Sequence, residues 1–260
     1  MSDEFVGVVK SVIRSVAPQV TVVDVTHGIP PHDVRAGALA LVRSVQYLRP
    51  GVVLAVVDPG VGTDRRAVAV AAGEEGDDDD GAFFVGPDNG LLAAAVAMAG
   101  GAKVAVELTN ASYHLPSPGL TFAGRDVFAP VAAHLCNGVG LSAFGPPVDP
   151  LTLRPGILPL SRREDERLLA EVLWVDRFGN IQLNVQPEEV TAFGDRLAVR
   201  WGTDNVRTAR QAPAYGDLKA GEVGVIVDSY GLVSLALDRR SAAEELRLRP
   251  GDAVTLEAPS

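Results

Sequence analysis

The chain has 260 residues, of which 47% are hydrophobic and 22% charged, so it holds enough apolar side chains for one large or two modest domains. Its formal net charge of −10 at pH 7 argues against a nucleic-acid partner, because such binding depends on Lys and Arg that neutralise phosphates. The single cysteine, Cys136, excludes an intramolecular disulfide, and no apolar run approaches the ~18 residues of a membrane span. We therefore expect a cytoplasmic protein with no membrane segment.

The first 150 residues alternate between helical patterns and short apolar strand patterns. The helical patterns cover residues 2–18, 30–48, 89–100 and 124–138. The strand patterns cover residues 19–26, 51–60, 67–72, 81–87 and 102–108. Short apolar strands between helices are typical of a sheet that is covered on both faces. We therefore predict an α/β domain with a largely parallel sheet over residues 1–150.

The acidic run at residues 77–80, four consecutive aspartates, interrupts two of these strand patterns. A calcium loop would need alternating ligands and a distal glutamate, which this run does not have. We expect a solvated hairpin tip there.

The second half of the chain has a different pattern. Residues 151–166 are rich in proline and irregular, which predicts a linker. Residues 167–260 contain six short strand patterns separated by turn residues, with one short helical pattern among them. This region is therefore predicted to form a small antiparallel barrel or sandwich.

Polar residues follow an apolar strand in the stretch VVDPGVGTDRRA, residues 56–67. In a doubly wound sheet, ligands bind beyond the carboxyl ends of the strands, and Asp58 occupies such an end. Arg65 comes seven residues later, so the glycine-rich turn can bring it back toward Asp58. The turns GPDNGLL and TFAGRDVF carry further polar residues. Taken singly these are expected to be structural, Asn89 and Asp126 as helix caps and Arg125 as an ion-pair partner.

Two similar turns lie in the second half of the chain. Asp176–Asn180 lies between two strand patterns and places Phe178 at its tip, whereas VDSYGLVSLAL places Ser229 and Tyr230 in the same way. Asp, Gly and Asn in these turns are explained by turn geometry alone. An exposed Phe at a loop tip is not, and it indicates a ligand or partner.

Six phrases, in order along the chain, resemble the S-adenosyl-L-methionine hydroxide adenosyltransferase family, whose relatives include fluorinating and chlorinating enzymes. The phrases are TVVDVTHGIPPHDVRAGA, VVDPGVGTDRR, GPDNGLL, TFAGRDVFAPVAAHL, VDRFGNIQLN and DRRSAA. The resemblance covers nearly the whole chain. It implies an N-terminal α/β domain, a smaller C-terminal antiparallel β-barrel domain and a homotrimer. The substrate is then expected between the first domain of one subunit and the second domain of its neighbour.

The reaction that the resemblance implies is hydrolysis of S-adenosyl-L-methionine to adenosine and L-methionine. Asp58 is then expected to orient the attacking water or accept its proton, and Arg65 to fix that carboxylate. No cofactor is expected. The four histidines show no metal-ligand spacing, so we expect no bound metal.

The resemblance also assigns substrate contacts by position. Asp176 is expected to meet the methionine amine and Ser229 the carboxylate, while Phe178 and Asn180 contact adenine. The full set of expected substrate-binding residues is Asp3, His32, Asp176, Phe178, Asn180, Ser229, Tyr230 and Arg239.

This sequence departs from the family in two places. Ala123 stands where the family's hydrolases have a His, which reduces the expected acid–Arg–His triad to Asp58 and Arg65. The family also begins with a strand that ends in a ribose-binding Asp, and we expect Met1 to be an internal methionine that follows such a strand. The two departures leave open a catalytically silent binder of S-adenosylmethionine or adenosine. A halide-using enzyme is a further alternative, because Gly124 stands where the chlorinating relative also has glycine. A carboxylate beside the nucleophile would repel a halide ion, which favours water.

Overall fold

The computed structural model describes residues 3–73, 81–156 and 158–259. Contacts divide the chain into two units, Met1–Ile157 and Leu158–Ser260. The acidic run at residues 77–80, for which a hairpin tip is expected, lies outside the described residues. No helix within the described ranges has the length and apolar character needed to cross a membrane.

All four helices predicted for the first unit are present. They are α1 (Phe5–Val16), α2 (Val34–Val45), α3 (Ala93–Met98) and α4 (Ala129–Cys136). Helix α2 begins at Val34, four residues after the start of the predicted helical pattern, because the Asp33 carboxylate caps it there and accepts a hydrogen bond from the Ala36 N–H at 2.8 Å. A π-helical turn, Gly124–Phe128, leads directly into α4. Short 3-10 turns cover Ala111–Tyr113, Leu141–Ala143 and Pro150–Thr152.

The sheet of the first unit is mostly antiparallel, so the prediction of a largely parallel sheet is wrong. Its strands are β1 (Val52–Leu54), β2 (Ala67–Ala72), β3 (Ala82–Pro87), β4 (Ala102–Glu107) and β5 (Pro147–Val148), in the order β1-β3-β2-β4-β5. Only β1 and β3 pair in parallel, and the other three pairings are antiparallel. The connection between β2 and β3 is too short for a parallel crossover, so the two strands pair antiparallel.

The strand predicted over residues 19–26 is also wrong. Residues 20–26 do not pair with any strand of the described part of the chain. Val20 and Val22 pack in a cluster with α1 and α4, whereas Val23 is 71% exposed. Alternation of apolar residues predicts an extended chain, but a strand also requires a hydrogen-bonded neighbour, which the sequence does not specify.

Both faces of this sheet are covered, as the apolar strands predict. Val68 and Val70 of β2 belong to a cluster that includes residues of α2 and α3. Ala69 of the same strand belongs to a second cluster, together with Phe128 and Val131. Successive residues of a strand point to opposite faces, so one short apolar strand contributes to two cores.

The second unit is a closed seven-stranded barrel, which confirms the predicted barrel domain. Its strands are β7 (Arg167–Val175), β8 (Ile181–Leu183), β9 (Arg196–Trp201), β10 (Asn205–Gln211), β11 (Val223–Val227), β12 (Val233–Ala236) and β13 (Ala253–Glu257). The ring closes through the pairing of β13 with β7, and β6 (Arg162–Glu164) adds to β7 outside it. Neighbours in the ring are antiparallel except β10 and β11, because a ring of seven strands cannot alternate throughout. Two short helices, α5 (Pro187–Thr191) and α6 (Ala242–Leu246), complete the unit.

The start of the predicted linker, up to residue 156, belongs to the first unit and is hydrogen-bonded within it. Buried Asp88 accepts from the Arg66 Nε at 2.9 Å and from the Arg154 backbone N–H at 2.7 Å. Arg66 also donates to the Thr152 hydroxyl at 3.1 Å. The start of the proline-rich stretch is therefore fixed by specific contacts.

Candidate active site

The turn after β1 is anchored to its neighbour in the sheet. The Asn89 side-chain amide donates to the Val57 carbonyl at 2.8 Å, next to Asp58. The turn then closes on itself, with the Thr63 N–H donating to the Gly60 carbonyl at 3.2 Å. Gly62 has a φ of +80°, a conformation that a residue with a side chain rarely adopts. These contacts direct the chain so that Arg65 returns beside Asp58.

Asp58 and Arg65 form a bidentate ion pair, as the sequence predicts. The Arg65 Nε donates to Asp58 Oδ1 at 3.0 Å, and Arg65 Nη2 donates to Asp58 Oδ2. The side chains are 5% and 12% exposed, so the pair is largely withdrawn from water. Two parallel charge-assisted hydrogen bonds fix the plane of the carboxylate as well as its position.

The Asp58 carboxylate is not saturated by this pairing. An ionised carboxylate offers about four lone-pair sites. Among the described residues, the two Arg65 nitrogens are its hydrogen-bond donors. The remaining lone pairs are available to a donor from outside the protein, such as a water molecule.

The phrase TFAGRDVF forms the π turn, and its charged residues pair with each other. Arg125 donates to Asp126 through Nε at 2.6 Å and Nη2 at 3.0 Å, which confirms the predicted ion-pair role of Arg125. Burial by itself would raise the pKa of Asp126, but hydrogen bonds from Arg125 and Ser117 outweigh it and lower that pKa. This second carboxylate is therefore held by donors from two residues, Arg125 and Ser117. Among the described residues it makes no cap hydrogen bond to the π turn or to α4, so the prediction that Asp126 is a helix cap is wrong.

Ala123 immediately precedes the π turn and is half-buried. A Cβ added at the next residue, Gly124, would lie 3.8 Å from Val56, so this part of the chain borders the end of β1. The methyl group of Ala123 cannot donate or accept a hydrogen bond. The polar pair at this end of the sheet is therefore Asp58 and Arg65 without a third member from position 123.

The structure places Asp3 and His32 on the surface of the first unit. Asp3 accepts a hydrogen bond from the Phe5 N–H at 3.2 Å, and the Phe5 ring lies 4.7 Å from the Phe122 ring. His32 is exposed and has a φ of +65°. Neither side chain hydrogen-bonds to the Asp58–Arg65 pair within the described ranges.

The turn at residues 176–180 in the barrel is organised by its own aspartate. Asp176 Oδ1 accepts from the backbone N–H groups of Phe178 at 2.8 Å and Asn180 at 2.9 Å, and Oδ2 accepts from the Asn180 side chain at 2.8 Å. Turn geometry therefore accounts for Asp176 and Asn180 at least in part. It does not account for Phe178, whose side chain is 66% exposed.

The turn at residues 228–232 repeats this arrangement. Asp228 Oδ1 accepts from the backbone N–H groups of Tyr230 at 2.8 Å and Leu232 at 3.2 Å. VDRFGNIQL and VDSYGLVSL align residue for residue, and Gln182 pairs with its aligned partner Ser234 across β8 and β12. The two turns and the strands that follow them therefore form a local sequence duplication, whose halves meet at the Gln182–Ser234 pair. Ser229 and Tyr230 are both exposed.

Two further segments reach these turns. The Ala243 N–H donates to the Gly179 carbonyl at 2.9 Å, and a Cβ added at Gly179 would lie 2.1 Å from the Ser241 hydroxyl. The phrase DRRSAA thus packs on the turn at residues 176–180. Its Arg239 has a φ of +52° and a side chain that is 93% exposed.

Tyr215 is a candidate that the sequence analysis does not identify. Burial raises its pKa, and the nearby charges of Asp176 and Asp228 raise it further. The signal in the sequence is weak, because a Tyr-Gly pair in a loop between strands has no distinctive pattern.

No group of three or more His, Cys, Asp or Glu residues in the described part of the chain is arranged to hold a metal ion. Most of the site residues that the sequence predicts fall into two groups. Asp58 and Arg65 form an ion pair after the first strand of the α/β unit, and the barrel carries two similar turns with an aromatic residue at each tip.

The chain matches the SAM hydroxide adenosyltransferase N-terminal domain over residues 1–145 and the C-terminal domain over residues 170–255. It therefore belongs to the S-adenosyl-L-methionine hydroxide adenosyltransferase family. A protein from Salinispora tropica named (R)-S-adenosyl-L-methionine hydrolase is 44% identical over 99% of this chain and 94% of its own length. A protein of the same name from Thermus thermophilus is 40% identical over 98% of this chain and 95% of its own length.

More distant relatives carry another name. A protein from Actinopolyspora mzabensis named fluorinase is 29% identical over 97% of this chain and 92% of its own length. The solved structure of an uncharacterized conserved protein from Thermotoga maritima matches with a TM-score of 0.87 at 34% identity, covering 98% of this chain and 96% of that one.

Proposed function

We propose that this protein is an enzyme that hydrolyses S-adenosyl-L-methionine to adenosine and L-methionine. The observation that carries the proposal is the bidentate Asp58–Arg65 pair, set on the turn after β1 with carboxylate lone pairs to spare. Its occurrence in a chain 44% identical to a protein named S-adenosylmethionine hydrolase supports the assignment.

The reaction requires the enzyme chiefly to orient the attacking water toward the ribose C5′. The water oxygen forms a bond to the ribose C5′ while the C5′–S bond breaks, and the sulfur keeps the bonding electrons. The leaving group departs as a neutral thioether, so it needs no general acid. The water proton passes to Asp58 and then to solvent. No cofactor or metal takes part in this proposal.

Asp58 and Arg65 have different roles in this reaction. Asp58 accepts a hydrogen bond from the water, which aims the oxygen lone pair at C5′ and removes the proton as charge develops. Arg65 holds the carboxylate plane through its two hydrogen bonds. Placing the reacting atoms about 3–3.5 Å apart in line supplies much of the rate enhancement.

We propose that the barrel turns bind the rest of the substrate. Asp176 accepts the methionine ammonium, and Ser229 donates to the methionine carboxylate. Phe178 and Asn180 contact adenine, and the exposure of the Phe178 ring supports this role. The proposed substrate contacts also include Tyr230, Arg239, His32, Asp3 and Tyr215.

The family resemblance supports two further proposals. The protein is a homotrimer, in which the first domain of one subunit and the barrel of its neighbour share a substrate. It works in the cytoplasm, where S-adenosylmethionine is available to it.

A direct assay tests the proposed reaction. Purified protein is incubated with S-adenosylmethionine in ¹⁸O-labelled water, with and without chloride, and the products are identified by mass spectrometry. We expect adenosine carrying one ¹⁸O at the 5′ hydroxyl in both conditions. Formation of 5′-chloro-5′-deoxyadenosine would assign a halide-using enzyme instead. Tight binding of the substrate without any product would indicate a silent binding protein.

A further inference from the structure

We propose that Phe128 is a positioning residue for the catalytic pair, and that its ring holds the Arg65 guanidinium in the orientation that contacts Asp58. The inference rests on the proposed function and names a residue that acts through Arg65 without touching substrate. Arg65 Cζ lies over the Phe128 ring, 5.5 Å from its centroid. Phe128 is fully buried, with 0% of its side chain exposed.

The two hydrogen bonds keep the Arg65 guanidinium and the Asp58 carboxylate in one plane, but they do not contact the flat face of the guanidinium. Nε and Nη2 meet the two oxygens of Asp58 along one edge, so the pair as a unit still needs a support against the rest of the protein. An aromatic face attracts a cation, and the attraction is stronger where water is excluded. Arg65 is only 12% exposed, so the Phe128 ring supplies a support that solvent cannot replace.

The backbone around Phe128 explains why its ring is a fixed support. The Ala129 N–H donates to the Gly124 carbonyl, five residues earlier, which makes the segment a π turn. Such turns place one extra residue in a helix and are frequent at functional sites. Helix α4 follows at once, and its Ala129 and Ala133 pack in a cluster with α1. The ring is thus attached to the end of a packed helix.

Phe144 provides a matched control. It belongs to the same hydrophobic cluster as Phe128 and is also 0% exposed. Its ring contacts the Tyr113 ring at 4.9 Å, with no cation over its face in the described residues. A purely structural role for Phe128 predicts that equivalent changes at the two positions have equivalent effects.

The test replaces each phenylalanine in turn with 4-fluoro-, 3,5-difluoro- and 3,4,5-trifluorophenylalanine, which weaken the negative ring face with little change in size. At position 128 we expect kcat for S-adenosylmethionine to fall with each added fluorine, by about tenfold in total (about 1.4 kcal/mol), while KM stays constant. At position 144 we expect no trend. An unchanged kcat across the series at position 128 would overturn the proposal.

A second measurement does not depend on turnover. Hydrogen exchange of the Arg65 Nε–H, followed by NMR, is expected to accelerate in Phe128→Leu and across the fluorinated series at position 128. It should stay slow in Phe144→Leu, although both leucine variants lose comparable thermal stability. If the wild-type protein hydrolyses no S-adenosylmethionine, the proposed function fails while this exchange still decides the role of Phe128. Unchanged exchange in the position-128 variants would overturn that role.

Discussion

The turn that carries Asp58 and the two turns of the barrel use the same residue type in different ways. Within the described ranges, the Asp58 carboxylate accepts two hydrogen bonds, both from the side chain of Arg65. The Asp176 carboxylate accepts three there, all from its own turn, and the Asp228 carboxylate accepts four, two from its own turn and two from Gln182 and Ser234. A carboxylate has about four lone-pair sites, so those of Asp228 are all occupied, whereas Asp58 has about two left for a ligand.

The donors around each aspartate indicate whether its side chain maintains the local fold or remains able to bind a ligand. A carboxylate bound by main-chain N–H groups keeps its turn in shape, and changing it alters the fold locally. A carboxylate bound by one side-chain cation is oriented, yet it retains lone pairs for a ligand. The number and kind of donors around each aspartate therefore predict which one reacts, which one binds and which one only supports.

The largest expected effect comes from Asp58→Asn, which keeps the size of the side chain but removes its charge and its ability to take a proton. We expect kcat to fall by at least ~10²-fold because the water is no longer activated. Steady-state kinetics with S-adenosylmethionine measure the effect. Asp64→Asn, on the same turn and exposed, is the control and should retain wild-type kcat. Equal rates in the two variants would remove Asp58 from the mechanism.

Arg65→Lys should have the next largest effect. A lysine keeps the charge but cannot make two parallel hydrogen bonds in a fixed plane. Losing one charge-assisted hydrogen bond of about 2 kcal/mol corresponds to a fall in kcat of about 30-fold. Arg66→Lys is the matched control, since Arg66 pairs with Asp88. A fall of similar size in both variants would indicate that the effect on Arg65 comes from general loosening of the turn.

Asp176→Asn and Asp228→Asn test whether the two turn aspartates of the barrel differ in their roles in substrate binding and in stability. For Asp176→Asn we expect KM to rise about tenfold with a smaller loss of stability than for Asp228→Asn, because the charge for the ammonium is lost while Oδ1 still accepts both N–H groups and only the hydrogen bond from the Asn180 side chain is lost. For Asp228→Asn we expect the free energy of unfolding to fall by about 1–2 kcal/mol, because an amide nitrogen cannot accept from Gln182 or Ser234. Kinetics and thermal unfolding on both variants test the division. The reverse pattern would contradict it.

The smallest effect concerns the pH dependence of barrel stability. A hydrogen bond from Arg200 is the main cause that lowers the pKa of Glu257 below its ordinary value of 4.5, and Arg167 contributes as well. A lowered folded-state pKa gives stability that is present above pH ~4.5 and is lost as the pH falls through the folded-state pKa. Glu257→Gln should therefore reduce the loss of Tm between pH ~5 and pH ~3. An unchanged slope of Tm against pH would exclude this contribution.

The fold is predictable from the sequence where local rules decide it. Asp33 caps α2, and four helices follow from their apolar periodicity. Strand direction in the first unit cannot be predicted in this way, because a strand that is apolar on both faces fits either direction. Residues 20–26 form no strand although their pattern predicts one. A strand needs a hydrogen-bonded neighbour, and the residues of the segment do not specify one.

The candidate site is predictable to a similar extent. Asp58 and Arg65 are seven residues apart on one glycine-rich turn, so their contact is local and the sequence predicts it. Tyr215 is far in sequence from Asp176, so no local pattern connects the two residues. Phe128 has the pattern of an ordinary core residue, and only its position under Arg65 distinguishes it.

The most direct test of the account is the crystal structure of the Asp58→Asn variant with S-adenosylmethionine bound. We predict a water molecule hydrogen-bonded to the side chain at position 58 and about 3–3.5 Å from C5′, in line with the C5′–S bond. A substrate whose C5′ lies out of reach of any water held at position 58 would contradict the account.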